Sequence, residues 1–224
     1  MSIKIENVDV YGFEASIRGM RNPMNSHDKS DSKFGFSDDH HTFWMGENDL
    51  KLMKTLSKSG NDHGKFLRMI NVTLDITAPL YWWKEFDTYK VGTVANSCST
   101  MHKIHAKEFT LDDFSHEHLI PDAIELLEDI IATLNDCRDV YVNYDIYKDR
   151  KDFMKSIDKK DVWWQMIQLL PSSYNQKRTV QLNYQVLNSM YFARKEHKLE
   201  EWQLFCEWME EDLPYFKEIC VDVG

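Results

Sequence analysis

The segment Asp62–His102 reads DHGKFLRMINVTLDITAPLYWWKEFDTYKVGTVANSCSTMH and carries the strongest structural signal in the chain. Between Met69 and Thr77, apolar residues alternate with polar ones, at Ile70, Val72, Leu74 and Ile76. Strict alternation predicts a β-strand with one buried face and one face in water. Such a strand is typical of an antiparallel or mixed sheet, because a parallel sheet is usually buried on both faces.

A helix is predicted directly after this strand. Thr77 can cap its amino end, and Pro79 suits a first-turn position, where no backbone donor is needed. The helix contains the pair Trp82–Trp83. Adjacent aromatic residues on a helix usually divide between core and interface, so we favour core or subunit contacts over stacking on a ligand, here and for Trp163–Trp164.

Helical patterns dominate the rest of the chain. They cover residues 47–59, 118–134 and 162–170, with two more inside 179–216. A strand is predicted over Ile3–Tyr11. The polar stretch Asn22–Phe43 is predicted to be a long loop or a partly disordered insertion. No repeat and no linker rich in Pro, Gly or Ser interrupts the pattern, so we predict one domain over residues 1–224.

The composition narrows the possible classes of function. The chain has 224 residues, 42% of them hydrophobic, and a net charge of −10. This balance predicts a packed globular protein and argues against nonspecific binding to nucleic acid or anionic membranes. The four cysteines form no recognisable disulfide or metal framework, and no signal peptide or membrane span is evident, so we expect a cytoplasmic protein.

The strand, the Ala78–Pro79 pair and the following helix resemble the centre of the flavin-dependent thymidylate synthases. In that family the helix leads into a motif of the form Arg-His-Arg-x-x-Ser-x-Asn-Glu-x-Ser-x-Arg. The corresponding window of this chain contains Thr88, Tyr89, Lys90, Thr93, Ala95, Asn96, Cys98 and Thr100. The resemblance implies an α/β (α+β) fold of the thymidylate synthase-complementing type, with a mainly antiparallel sheet flanked by long helices, and a homotetramer.

The resemblance also implies ligand-binding residues. Residues at positions that contact the flavin in the family are His63, Lys90, Gln181, Asn188 and His197. Residues at positions that face the nucleotide are Glu85, Cys98, Ser99 and Arg194. No catalytic residue is singled out and no metal site is predicted. For the reaction, the resemblance implies methylation of dUMP with FAD, methylene-tetrahydrofolate and NADPH.

The motif window differs from the family pattern in its charges. Lys90 is its only cation, and Lys lacks the bidentate fork with which Arg holds a phosphate. Each charged hydrogen bond lost costs about 1.5–3 kcal/mol, unless His102, Lys103, His105 or Lys107 replaces the missing groups. A second hypothesis is therefore a family member that binds or sequesters a nucleotide without redox turnover.

Three residue sets have alternative interpretations. Cys98 could attack a pyrimidine carbon as a nucleophile, although the sequence fixes no neighbouring base. Arg194 is either a ligand-binding cation or a surface cation paired with Glu196 or Glu200. For one further set we favour a solvated loop over a metal site, because the spacing lacks a helical pair with an acidic partner: His102, His105, His116 and His118.

Overall fold

The computed structural model describes residues 3–37, 40–150 and 156–223. The main sheet is formed by β1 (Lys4–Tyr11), β4 (Asn71–Pro79), β5 (Val94–Ser97) and β6 (Asn175–Asn183), in the order β1-β4-β6-β5. Strands β2 (Lys33–Ser37) and β3 (His40–Trp44) form a separate antiparallel hairpin. The predicted class, helices with a mainly antiparallel sheet, is confirmed.

Helices occupy most of the remaining chain. They are α1 (Phe13–Arg21), α2 (Glu47–Lys58), α3 (Leu80–Phe86), α4 (Thr100–Lys103), α5 (Pro121–Val142), α6 (Tyr144–Arg150), α7 (Lys159–Leu169), α8 (Tyr184–Arg194) and α9 (Glu200–Glu211). A 3-10 helix covers Gly64–Met69, and a π-helical turn covers Lys217–Val221. In the described part of the chain, no helix combines the length and apolarity that a membrane span requires.

The chain divides into two compact units, each made of segments distant in sequence. The first unit contains Met1–Lys4, Ile76–Asp87 and Asn96–Arg178, and the second contains Ile5–Asp75, Thr88–Ala95 and Thr179–Gly224. Strands β4 and β6 each contribute residues to both units. The single domain expected from the sequence stays a prediction.

The core of the first unit is built around α5 and α7. Its central residues are Ile104, Phe109, Phe114, Leu127, Ile131, Leu134 and Met166. Helix α3 adds Trp82 and Trp83, whose side chains are fully buried with ring centroids 4.9 Å apart. This pair therefore lies in the core, in agreement with the sequence prediction.

In the second unit, α2, α8 and α9 pack against the π-helical turn, and α1 packs against the 3-10 helix Gly64–Met69. Tyr184 lies at the centre of this unit, with its ring 5.8 Å from that of Phe13 and 5.4 Å from that of Phe216. Gly12, which precedes α1, has φ of 101°, and a Cβ there would lie 2.0 Å from the backbone oxygen of Met69. Only glycine fits both this backbone conformation and this close approach.

A buried ion pair fixes the segment after α1. Asp49 of α2 is fully buried and accepts a hydrogen bond from Arg21 Nε at 2.6 Å. Its other carboxylate oxygen accepts from the Ser30 and Ser32 hydroxyls and from the backbone N–H groups of Asp31 and Ser32. Burial alone would raise the pKa of Asp49, but these hydrogen bonds outweigh burial and hold the pKa below its ordinary value.

Two sequence predictions were wrong in detail. The stretch 22–43 is not a long loop, since it contains two 3-10 turns and the β2–β3 hairpin; residues 38 and 39 lie outside the described residues. Stacking of Phe34 on Phe43, with ring centroids 4.9 Å apart, supports the hairpin. Helix α3 begins only at Leu80 and has no side-chain cap, because β4 continues through Thr77 to Pro79.

The two helical patterns predicted within residues 179–216 correspond to α8 and α9, but the strand that precedes α8 was not predicted. Residues up to Asn183 belong to β6, and α8 starts at Tyr184. The Asn183 side chain accepts a hydrogen bond from the Val186 backbone N–H at 3.1 Å and caps the helix. An N-cap residue keeps an extended backbone, so the strand can run directly into α8.

Candidate functional site

In the second unit, the candidate site is organised around Arg194, the last residue of α8. Arg194 Nε donates a hydrogen bond to the Tyr89 hydroxyl at 3.0 Å. Its guanidinium carbon lies 4.9 Å from the ring centroid of Trp202 and 5.6 Å from that of Tyr89. Trp202 is fully buried. The site thus contains a half-buried cation that two aromatic rings hold in place.

Lys90 lies on the loop that follows Tyr89. Its side chain is exposed to solvent. Two residues later Gly92 has φ of 77°, and a Cβ there would lie 3.1 Å from Val186 Cγ2 and 3.2 Å from Asn183 Nδ2. The loop therefore packs closely against the start of α8. Through Tyr89 and Gly92, this unit brings residues 88–95 of the motif window together with α8 and its Arg194.

Asn188 and His197 have specific polar environments in the same unit. Asn188 Oδ1 is closed to solvent and accepts no hydrogen bond from the described residues. His197 Nδ1 accepts a hydrogen bond from the Leu199 backbone N–H at 3.2 Å. In the neutral ring the proton is therefore on Nε2, which makes that nitrogen the donor.

The other two predicted flavin residues of this unit lie in different surroundings. His63 is exposed and precedes the 3-10 helix Gly64–Met69. Gln181 is exposed on β6, where its Nε2 donates to the Tyr11 hydroxyl at 2.8 Å. It belongs to a polar sheet face on which Asp75 accepts hydrogen bonds from Asn7 and Thr179.

The predicted nucleotide residues Glu85, Cys98 and Ser99 belong to the first unit. Glu85 is half-buried on α3 and Cys98 is exposed. The Cys98 backbone is fixed on both sides, since its N–H donates to the Lys177 oxygen at 2.9 Å and its oxygen accepts from Gln176 Nε2 at 3.0 Å. Ser99 caps α4, where its hydroxyl accepts from the His102 N–H.

Arg178 of β6 lies near Cys98 in the first unit, and the sequence analysis did not identify it. Its guanidinium carbon lies 4.2 Å from the ring centroid of Trp83. Its Nε donates to Gln176 Oε1 at 2.9 Å, and its Nη1 lies 2.7 Å from Asp87 Oδ1. Arg178 thus supports Gln176, which in turn holds Cys98. Period-two spacing of Gln176, Arg178 and Val180 could have indicated it, had β6 been recognised as a strand.

The histidine-rich set shows no metal arrangement. Over residues 3–37, 40–150 and 156–223, no group of three His, Cys, Asp or Glu side chains could hold a metal ion. His116 Nδ1 lies 2.8 Å from the backbone oxygen of Phe114, a contact within its own loop.

Two solved structures are similar to the chain over its whole length. Both are crystal structures of the flavin-dependent thymidylate synthase ThyX from Helicobacter pylori with FAD and dUMP. The first has a TM-score of 0.61 and 16% identity, and covers 100% of this chain and 99% of its own. The second has a TM-score of 0.62 and 14% identity, and covers 100% of this chain and 98% of its own. The fold is that of a flavin-dependent thymidylate synthase.

Comparison of the sequence with known families and proteins gives no match. No family model matches the chain, and no curated protein matches it. The flavin-dependent thymidylate synthase fold is therefore present without the family's usual sequence. Its motif window carries Thr88 and Thr100 at two positions where the family has Arg.

Proposed function

We propose that the protein is a divergent flavin-dependent thymidylate synthase-like protein that binds FAD and methylates dUMP. Methylene-tetrahydrofolate would supply the carbon and NADPH the electrons. The observation that carries this proposal is the fold match, which covers 100% of the chain in two structures complexed with FAD and dUMP. A cytoplasmic homotetramer with this flavoprotein methyltransferase activity is part of the same proposal.

The residues fit a phosphate-bearing cofactor and substrate. Lys90 and Arg194 are cations that would meet phosphate oxygens, Arg194 with a guanidinium already oriented by Tyr89 and Trp202. Asn188 Oδ1 accepts no hydrogen bond from the described residues, and a ligand N–H or O–H would satisfy it if α8 adjusts. His63, Gln181 and His197 would complete the FAD site, and FAD when bound supplies hydride chemistry.

The first unit would contribute three residues to dUMP binding. Glu85 would accept from the base, and Cys98 and Ser99 would contact the nucleotide. Arg178 would act through others, by holding Gln176 and with it the Cys98 backbone.

A second candidate function is nucleotide binding without redox turnover. It is favoured by the charge of the motif window, where threonines stand at two arginine positions and Lys90 offers an exposed point charge. A site with fewer guanidinium forks binds two polyanionic ligands less tightly than a site that has them. This candidate predicts nucleotide affinity without bound flavin.

One experiment separates the two functions. The visible absorbance of the purified protein is measured, and any small molecule released on denaturation is identified by mass spectrometry. FAD near one per chain, followed by product in an assay with dUMP, methylene-tetrahydrofolate and NADPH, supports the enzyme. A colourless protein that takes up no FAD but gives calorimetric heat with dUMP supports the second candidate. No binding of either ligand overturns both.

A further inference from the structure

A groove in the first unit lies along α5 and α7. Its volume is about 250 Å³, and its exposed lining is mainly apolar. Cys137 and Val140 of α5 and Val162 of α7 contribute to this lining. Two carboxylates, Asp136 and Asp161, also lie at the groove. Asp161 accepts a hydrogen bond from the Asp158 backbone N–H at 3.0 Å, whereas Asp136 is exposed. An apolar floor beside the Asp136 carboxylate suits a side chain that has a long aliphatic stem and a cationic head.

The groove continues an exposed stripe along α5. Leu126 is 62% exposed, and Thr133 follows two helical turns later. Cys137 and Val140 continue the series at helical spacing. Residues at intervals of three, four and seven share one side of a helix, so Leu126 and the groove lie on one face. We call this set the α5 stripe; it spans about 14 residues, or about 21 Å.

Negative charge flanks the α5 stripe. Helix α5 contains six carboxylates, and Arg138 is its only cation. Arg138 is half-buried and donates to the His105 backbone oxygen at 3.0 Å, so it is committed to a different side of the helix. Four exposed carboxylates lie on the side opposite the buried face of α5: Asp122, Glu125, Asp129 and Asp136.

We propose that the α5 stripe is the docking surface for an amphipathic helix of a partner protein rich in lysine and arginine. Leucines of that helix would cover Leu126, and a lysine or arginine stem would enter the groove with its charge at Asp136. Charge complementarity selects this partner over a second copy docked through the same stripe, because that copy would bring the same acidic α5 and repel the first. Helix-in-groove docking of this kind uses anchors at spacings of three, four and seven residues.

The test uses the full chain and a fluorescein-labelled probe peptide of about 14 residues built from leucine and lysine in an amphipathic pattern. Anisotropy measures its Kd at about 0.15 M salt, where nonspecific attraction between exposed charges is screened. A peptide of the same composition with scrambled order is the reference. We expect the ordered peptide to bind at least about tenfold more tightly than the scrambled one.

Two exposed-site variants separate docking from general attraction. Leu126→Glu adds negative charge but removes the apolar anchor, and we expect weaker binding; nonspecific attraction would make it stronger. Asp136→Lys is expected to weaken binding about tenfold, whereas Glu211→Lys on α9, an equal change of charge in the other unit, should leave it within about twofold. Equal effects of the two lysine variants would overturn the proposal.

Cysteine labelling reports where the peptide binds. Alkylation at mildly alkaline pH, followed by peptide mapping, compares Cys137 with the exposed Cys98. Burial and the neighbouring Asp136 raise the pKa of the Cys137 thiol, so the alkaline pH is needed to form its reactive thiolate. The ordered peptide should protect Cys137 and leave Cys98 unchanged. If the peptide does not protect Cys137, the proposal is overturned. If Cys137 becomes protected without peptide as the protein concentration rises, the proposal is also overturned, and a second copy of the chain covers the stripe.

Discussion

Arg194 is the residue on which the proposed nucleotide site depends most. The change Arg194→Lys keeps the positive charge but removes the Nε donor to Tyr89 and the planar contact with Trp202. A charged hydrogen bond contributes about 1.5–3 kcal/mol, so the Kd for dUMP should rise about tenfold to a hundredfold. Isothermal titration calorimetry measures the change.

The matched control is Arg18→Lys, on the exposed part of α1. It should leave the Kd for dUMP unchanged. If both variants bind dUMP as the unmodified protein does, Arg194 is a structural cation of the α8 end and not a ligand residue.

Asp49 gives a prediction about stability at the same scale. Asp49→Asn removes the negative charge that pairs with Arg21 and accepts hydrogen bonds from residues 30–32. Breaking a buried ion pair from one side costs about 3–5 kcal/mol, because the remaining charge stays buried without compensation. Urea unfolding at neutral pH measures this loss, and Asp9→Asn on the exposed part of β1 is its control.

The same carboxylate gives the protein a defined acid sensitivity. The pKa of Asp49 is lower in the folded state than its unfolded value of about 3.9, so its contribution is complete above that pH. It is lost as the pH falls through the lower folded pKa. The unfolding free energy should therefore drop more steeply below about pH 4 in the unmodified protein than in Asp49→Asn. Parallel curves for the two proteins would contradict this assignment.

At the level of elements, Gly12 tests the connection between β1 and α1, and Gly60, which follows α2, is its control. Gly12 and Gly60 both have positive φ, but a Cβ at Gly12 would lie 2.0 Å from the Met69 oxygen, whereas Gly60 has open space. Gly60→Ala should cost about 1–2 kcal/mol, for backbone strain alone. Gly12→Ala should cost clearly more, since the backbone must also move. Thermal unfolding compares the stability of the two variants. Equal losses of stability would mean that the backbone near the Met69 oxygen moves away from the new Cβ at little cost.

The elements also show how far the sequence could be interpreted. Strand β4 was predictable because its alternation is regular and one face is buried at every second residue. Strand β6 was missed because Gln176, a polar residue, takes an inward position, buried by hydrogen bonds to Cys98 and Arg178. Such a position is satisfied by partners from distant segments, which local periodicity does not contain.

The candidate site was predictable only in part, because its contacts also join segments that are distant in sequence. Resemblance to a known family directed attention to Arg194 and to the window that includes Tyr89. Their contact joins residues 105 positions apart, and the support from Trp202 comes from another helix. The spacing of Gln176, Arg178 and Val180 could have indicated an inward position for Arg178, but not its contact with the face of Trp83.

For the whole molecule, the interleaved units predict cooperative unfolding. Each unit contains segments from three parts of the chain, and both β4 and β6 run from one unit into the other. Unfolding either unit should therefore disturb strands that the other requires. Tryptophan fluorescence and far-UV circular dichroism should follow one coincident urea transition. Two separated transitions would show that the units are independent domains.

The interleaving of the two units also fixes the order in which each becomes complete during synthesis. All segments of the first unit, which begins with Met1–Lys4, have left the ribosome once Arg178 has emerged. The second unit starts at Ile5 yet needs α8, α9 and the π-helical turn for its core. Helix α2, which packs on that turn, and the 3-10 helix Gly64–Met69, which packs on α8, are therefore made long before their partners. During that interval their apolar side chains are the ones that a nascent-chain chaperone would meet.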